Sequence, residues 1–215
     1  NKGHDHYHKD EGEGMDMYQV GTSRGCGGTG VWDGGKLYVG RNYKSWNVIA
    51  NGPIRAIFEL TYDAWDAAGT KVSEVKRFTV DAGHNLDQIE STFTFDGGKE
   101  ITVAIGVNKD SADRGQSGKI EVTKNQTDGW FTQWEMQKEN GSLGEGIVVP
   151  TGLRGFAEDK VNQLVLAKVT SGKALRYYVG GGWSKAGEFT TKEQWNSYVA
   201  SMTSRAKSPV QVTLK

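Results

Sequence analysis

The chain has 215 residues, enough for one large domain or two small ones, and its 26 basic side chains balance 26 acidic ones. A net charge of zero argues against nucleic acid or an anionic membrane as partner, and no apolar run reaches membrane-spanning length. With 30 Gly, 3 Pro, 7 Trp and 8 Tyr, the composition favours an all-β fold, and the wealth of aromatics suits stacking on sugar rings. Cys26 is the single cysteine, so no disulfide forms within the chain, which fits a cytoplasmic or a periplasmic location.

Residues 1–30 are rich in His, Asp and Glu and then in Gly, and are expected to be irregular. Within them "GCGGTG" (25–30) fits the G-x-G-x-x-G dinucleotide fingerprint. That fingerprint needs a strand before it and a helix opening at its end, so that pyrophosphate meets the helix N-terminus. Here "VWDGGKLYVG" follows and reads as turn plus strand, and no Gly-Lys-Ser/Thr follows to make a Walker loop. The glycines are read instead as a tight loop with positive φ and close backbone approach, able to line a ligand site.

From Lys36 the pattern becomes strands. "RAIFELTYD" sets Ala56, Phe58, Leu60 and Tyr62 against Ile57, Glu59 and Thr61. "KVSEVKRFTVD" puts Val72, Glu74, Lys76, Phe78 and Val80 on one parity, and "LDQIESTFTF" does the same for Ile89, Ser91, Phe93 and Phe95. "EITVAIGV" suits a strand buried on both faces. Further strands are expected at 130–136, 146–149, "NQLVLAKV", "ALRYYVGGGW" and the closing "VQVTLK". A single helix stands out: Thr191 caps it, Gln194 completes a capping box, and Trp195, Tyr198, Val199 and Met202 form its apolar stripe before Pro209. No internal repeat interrupts the pattern. The expectation is one antiparallel β-sandwich over 1–215 with a C-terminal helix packed on it.

The segments "YHKDEGEGMDMYQVGTSRGCGGTGVWDGGKLYVGRNY", "ANGPIRAIFELTYDAW", "VSEVKRFTVDAGHNLDQIESTF" and "YYVGGGWSKAGEFTTKEQWNSYVASMTSRAKSPVQVTL" together resemble the bacterial DUF4861 family. The resemblance implies a galactose-mutarotase-like supersandwich in a carbohydrate-active protein, periplasmic or secreted, from gene neighbourhoods that break down pectin and ulvan. It implies lyase or dehydratase chemistry on unsaturated uronyl sugars, with an oligosaccharide as substrate. Family members carry a long part before the Tyr-His segment. This chain is therefore expected to be the C-terminal part of a longer protein, or a subunit that a second polypeptide completes. A non-catalytic sugar-binding sandwich is the rival reading.

Breaking a bond β to a uronate carboxylate needs a base for the C5 proton, a group to stabilise the enolate and an acid for the leaving oxygen. Tyr7, His8, Arg24 and His84 are the candidate catalytic residues. Arg41, the Gly25–Cys26–Gly27 amides and Trp183 are the candidate substrate contacts, Arg for its bidentate fork and Trp183 as a platform that the preceding glycines clear. Cys26 lacks a Cys-His signature and reads as a small residue of the loop, not a nucleophile. His4, His6 and His8 share one face of an extended segment and have the spacing to hold a divalent metal. A solvated polar terminus is the reading adopted for His4 and His6, and no cofactor is expected.

Overall fold

The computed structural model describes residues 7–98, 100–112, 116–211 and 213. Among these, strands β1 (Cys26–Asp33), β2 (Lys36–Tyr38), β7 (Glu100–Asn108), β11 (Leu153–Glu158) and β12 (Asn162–Thr170) form a five-stranded sheet in the order β11-β12-β7-β1-β2. Strands β3 (Ser45–Asn51), β4 (Arg55–Ala67), β5 (Thr70–Asp81), β6 (Leu86–Phe95), β8 (Ile120–Asn125), β9 (Trp130–Met136), β10 (Ser142–Val148) and β13 (Ala174–Trp183) form an eight-stranded sheet, ordered β3-β4-β5-β6-β13-β10-β9-β8. Every pairing is antiparallel. Helix α1 (Lys192–Lys207) is the only α-helix among the described residues. The protein is an all-β sandwich with one late helix, as the alternation of the sequence requires. No described helix is long and apolar enough to cross a membrane.

The two sheets close on each other over Val72, Phe93, Val103, Ile105, Phe131, Ile147, Val165 and Tyr177, all essentially inaccessible to water. Residues paired across antiparallel strands point to the same face, so register tells what the inner face carries. Leu60 pairs with Lys76, Lys76 with Ser91, and Ser91 with Leu175. Glu74 and Lys76 lie on the inward parity of β5, each 5 % exposed, while Val75 and Arg77 point outward. One end of the sandwich is thus packed with hydrocarbon, and the other is lined with buried polar groups.

A second apolar layer lies on the outer face of the large sheet. There Trp195, Val199 and Met202 of α1 pack on Leu86, Trp130, Trp134 and Val148. Thr191 accepts from the Gln194 N–H, and the Gln194 side chain returns to the cap. The outward positions of β10 and β13 under the helix are glycines. A Cβ at Gly144 would stand 2.7 Å from Trp195 Cγ, and one at Gly182 2.8 Å from Phe189 Cδ2. Of the glycines of "YYVGGGW", Gly182 clears the outer face for Phe189 and Trp195, while Gly180 and Gly181 line the cavity described below together with Trp183.

Three further departures from the sequence reading have physical causes. The stretch expected to stay irregular through residue 30 enters β1 at Cys26, because its glycines serve close packing inside a sheet. Strands β3, β8 and β11, not anticipated, are all sheet edges, and none carries a buried residue. The closing "VQVTLK" forms no strand at the residues described; Val212, Leu214 and Lys215 lie outside them.

Candidate active site

The polar end of the sandwich holds a cavity of about 620 Å³. Its floor is the inner face of the large sheet, with Tyr62, Lys76, Phe78, Asp87, Ile89, Glu145 and Val179. Two segments wall it: Met15–Met17 with Tyr18, ahead of the first strand, and Arg24 with Cys26, Gly27 and Gly28 at the start of β1. Hydrogen bonds hold both walls. The Asn108 N–H donates to the Gly25 carbonyl at 2.9 Å and to the Tyr18 hydroxyl at 3.2 Å, and Tyr177 Oη donates to the Gly27 carbonyl at 3.0 Å.

Arg24 is fixed from behind. Its N–H donates to Asn162 Oδ1 at 2.6 Å, and Asn162 is itself held by both oxygens of Asp159. Its side chain crosses β7 at Gly106, where any Cβ would come within 2.6 Å of Arg24 Cβ. The guanidinium pairs with no carboxylate among the described residues, and its buried Nε has no hydrogen-bond partner. A buried donor without a partner costs about 1–3 kcal/mol, so this cation is poised for an anion.

Beside it, Lys76 Nζ stands 3.7 Å from Glu74 Oε1 and 5.6 Å from the centre of the Tyr62 ring. The same Glu74 oxygen accepts from Thr29 at 2.8 Å and from Ser91 at 2.5 Å. Burial lowers the Lys76 pKa, Glu74 opposes this, and Arg24 lowers it further. Burial and Glu74 push the Tyr62 phenol up to about 12, against the pull of Arg24. One group is therefore moved towards the neutral amine while its neighbour holds its proton.

The far end of the cavity is acidic. Glu145 is 1 % exposed, Gln133 Nε2 reaches its Oε1 at 3.5 Å, and its Oε2 has no partner. Burial, with Glu135 nearby, raises its pKa well above the usual carboxylate range. Burial likewise raises the Tyr18 phenol. Three strand spacings separate β5 from β10, about 14 Å, so Lys76 and Glu145 stand at different ends of the cavity.

The Glu145 proton has a consequence for stability. The folded chain holds it over a pH range where the unfolded chain has released it. Stability therefore falls as pH rises from the ordinary carboxylate range towards the raised Glu145 pKa. Glu145→Gln keeps a neutral side chain and removes that loss. Urea titrations are expected to find the variant more stable than the parent at neutral pH, with the two converging below the ordinary carboxylate range.

The family model described as "Domain of unknown function (DUF4861)" matches residues 1–212. The chain belongs to the DUF4861 family. It is also 31% identical over 217 residues to a protein of Formosa agariphila named "Uncharacterized protein P7", a match covering 98% of this chain and 52% of that protein. The chain thus spans about half the length of this curated relative.

In this DUF4861 chain, Arg24, Cys26, Gly27 and Trp183 meet at the cavity. The Gly25–Gly30 segment runs into a strand, so it offers no helix N-terminus to a pyrophosphate. Burial raises the Cys26 thiol pKa, and Sγ donates to the Gly180 carbonyl at 3.7 Å, so Cys26 shapes the wall. His8 is not among the lining residues. Its Nδ1 donates to the Asp16 carbonyl at 2.8 Å and its Nε2 accepts from Gln19 Nε2 at 3.3 Å, so it clasps the segment that walls the cavity. Tyr7 is 46% exposed and packs on the His8 ring at 4.1 Å. Gly25 is buried behind the loop, Arg41 is exposed away from the cavity, and His84 lines a different cleft with Asp81 and Arg205. His4 and His6 lie outside the described residues. Among those described, no three His, Cys, Asp or Glu side chains are grouped to hold a metal. Lys76, Tyr62 and Glu145, which also line the cavity, are not among the residues that the sequence singles out. Their signal was an ionisable residue on the inward parity of a strand, such as Lys76 between Val72 and Phe78.

Proposed function

We propose that the cavity catalyses elimination of the group β to a uronyl carboxylate, making this protein a carbon–oxygen lyase or dehydratase on uronic-acid oligosaccharides of the ulvan or pectin type. The observation that carries this reading is the opposed tuning of Lys76 and Tyr62 beside the unpaired Arg24. Titratable neighbours whose pKa values are pushed apart are the usual mark of a base and an acid.

Arg24 holds the substrate carboxylate through its fork and stabilises the charge that develops there. The Lys76 amine takes the C5 proton. The C5–H electron pair becomes the C4=C5 double bond, and the C4–O bond breaks. The Tyr62 phenol protonates the departing oxygen. A leaving sugar makes the reaction a lyase step, and a leaving hydroxyl, lost as water, makes it a dehydratase step. The neutral Glu145 carboxyl and the Tyr18 phenol donate to sugar hydroxyls at the other end. The family resemblance points to the same substrate class, and polymers of this kind are met outside the cytoplasm, so the reading places the protein in the periplasm or the medium.

Ultraviolet absorbance with ulvan and pectin oligomers tests it. A change in the conjugated enol-ether band at a rate proportional to protein concentration is expected. A flat signal from oligomers shown by calorimetry to bind would leave a non-catalytic sugar-binding sandwich instead.

A further inference from the structure

The large sheet has three strands more than the small one, and its edge strand β3 is exposed along almost its whole length among the described residues. Register carries the inner face outward across that end. Lys76 pairs with Leu60, and Leu60 with Trp46; Phe78 pairs with Phe58, and Phe58 with Val48. Since paired residues share a face, Trp46 and Val48 lie in the same rows as Lys76 and Phe78, which line the cavity. Phe58 stacks on Phe78 with ring centres 4.7 Å apart. Trp46 is 66% exposed and Val48 51%. Tyr43, 50% exposed, lies within electrostatic reach of Tyr62 at the cavity. The result is an open apolar shelf with an aromatic ring at its outer edge, continuous with a cavity that holds an unpaired cation.

We infer that this shelf binds the further sugar units of the oligosaccharide whose uronyl end sits at Arg24, with Trp46 as the distal stacking platform. The inference rests on the elimination reading for the choice of ligand. A pyranose presents apolar C–H faces and polar edges. Such faces stack on rings that are flat, apolar and open on one side. The distance also fits: two strand spacings from β5 to β3 give about 10 Å, the reach of about two further sugar units. Neutral aromatic and aliphatic side chains dominate the shelf, so it reads chain length, while Arg24 reads charge.

The test compares oligogalacturonates and ulvan oligomers of two and of four to six units, with the parent and with Trp46→Ala, by initial rates and by calorimetric titration. The parent is expected to hold the longer oligomers about tenfold more tightly than the dimers. Trp46→Ala should abolish that gain and leave kcat and dimer binding unchanged. Turnover with no dependence on length or on Trp46 overturns the shelf and leaves the elimination reading standing. Length- and Trp46-dependent binding without turnover supports the shelf and removes the elimination. A parent that sediments as an assembly which Trp46→Ala breaks into single chains would show that another polypeptide covers the face, which overturns the inference.

Discussion

Replacing Lys76 by Met is expected to lower turnover of uronate oligomers by about a hundredfold or more, the scale of a general base, while the chain remains folded. Met keeps the unbranched apolar stem that fills the site and removes the amine. Glu74 then loses its cation but keeps two hydroxyl donors, Thr29 at 2.8 Å and Ser91 at 2.5 Å, so the buried carboxylate is not left without partners. Tyr62→Phe should fall on the same scale. Groups that act as a unit are not additive, so the double variant should be little slower than the poorer single one. With the carboxylate proposed to be held by Arg24, KM is expected to change far less than kcat in both. Initial rates from the enol-ether band, with circular dichroism as the check on folding, decide the matter. A Lys76→Met protein with near-parental kcat would remove Lys76 as the base.

Trp195→Ala is expected to cost about 3–5 kcal/mol, the range for truncating a large buried aromatic. Trp195 is fully buried, lies edge-on to Phe189 at 5.1 Å and stacks on Tyr198 at 5.5 Å. Gly144 and Gly182 are shaped to receive it, and neither has a side chain that could move into the gap left behind. A loss of that size is a large share of the roughly 5–15 kcal/mol that holds most domains folded. The effect also reaches the cavity. Trp195 Nε1 donates to the Glu145 carbonyl at 3.1 Å, and the Glu145 side chain lines the cavity on the other face of the same strand. Guanidinium unfolding gives the number; a loss below about 1 kcal/mol would mean that α1 contributes little to the fold.

What the sequence conceals here follows from burial. Strands β4, β5, β6, β7, β12 and β13 sit inside their sheets, have one or two faces packed, and show their period in the sequence. Strands β3, β8 and β11 are edges, and with no buried face there is no period to read. Strand β1 is hidden for another reason: glycine has no side chain to mark a face, and "CGGTG" gives way to its neighbours where a loop was expected. The site divides along the same line. Arg24, Cys26 and Gly27 stand on a motif that is visible in one stretch of chain. Lys76, Tyr62 and Glu145 come from three strands and meet only when the sheet forms. In the sequence alone histidine stands out as the acid/base group, because its ordinary pKa lies near neutrality. In this cavity burial does that tuning, on a lysine and a phenol.

The most direct test of the account is calorimetric titration of an oligogalacturonate against the same oligomer with its carboxyl groups reduced to alcohols, using the parent and Arg24→Gln. The account predicts that the parent binds the uronate about tenfold or more tightly than the neutral oligomer, a difference of at least about 1.4 kcal/mol, and that Arg24→Gln binds the two alike. Equal affinity of the parent for both oligomers, or an undiminished preference in Arg24→Gln, would contradict it.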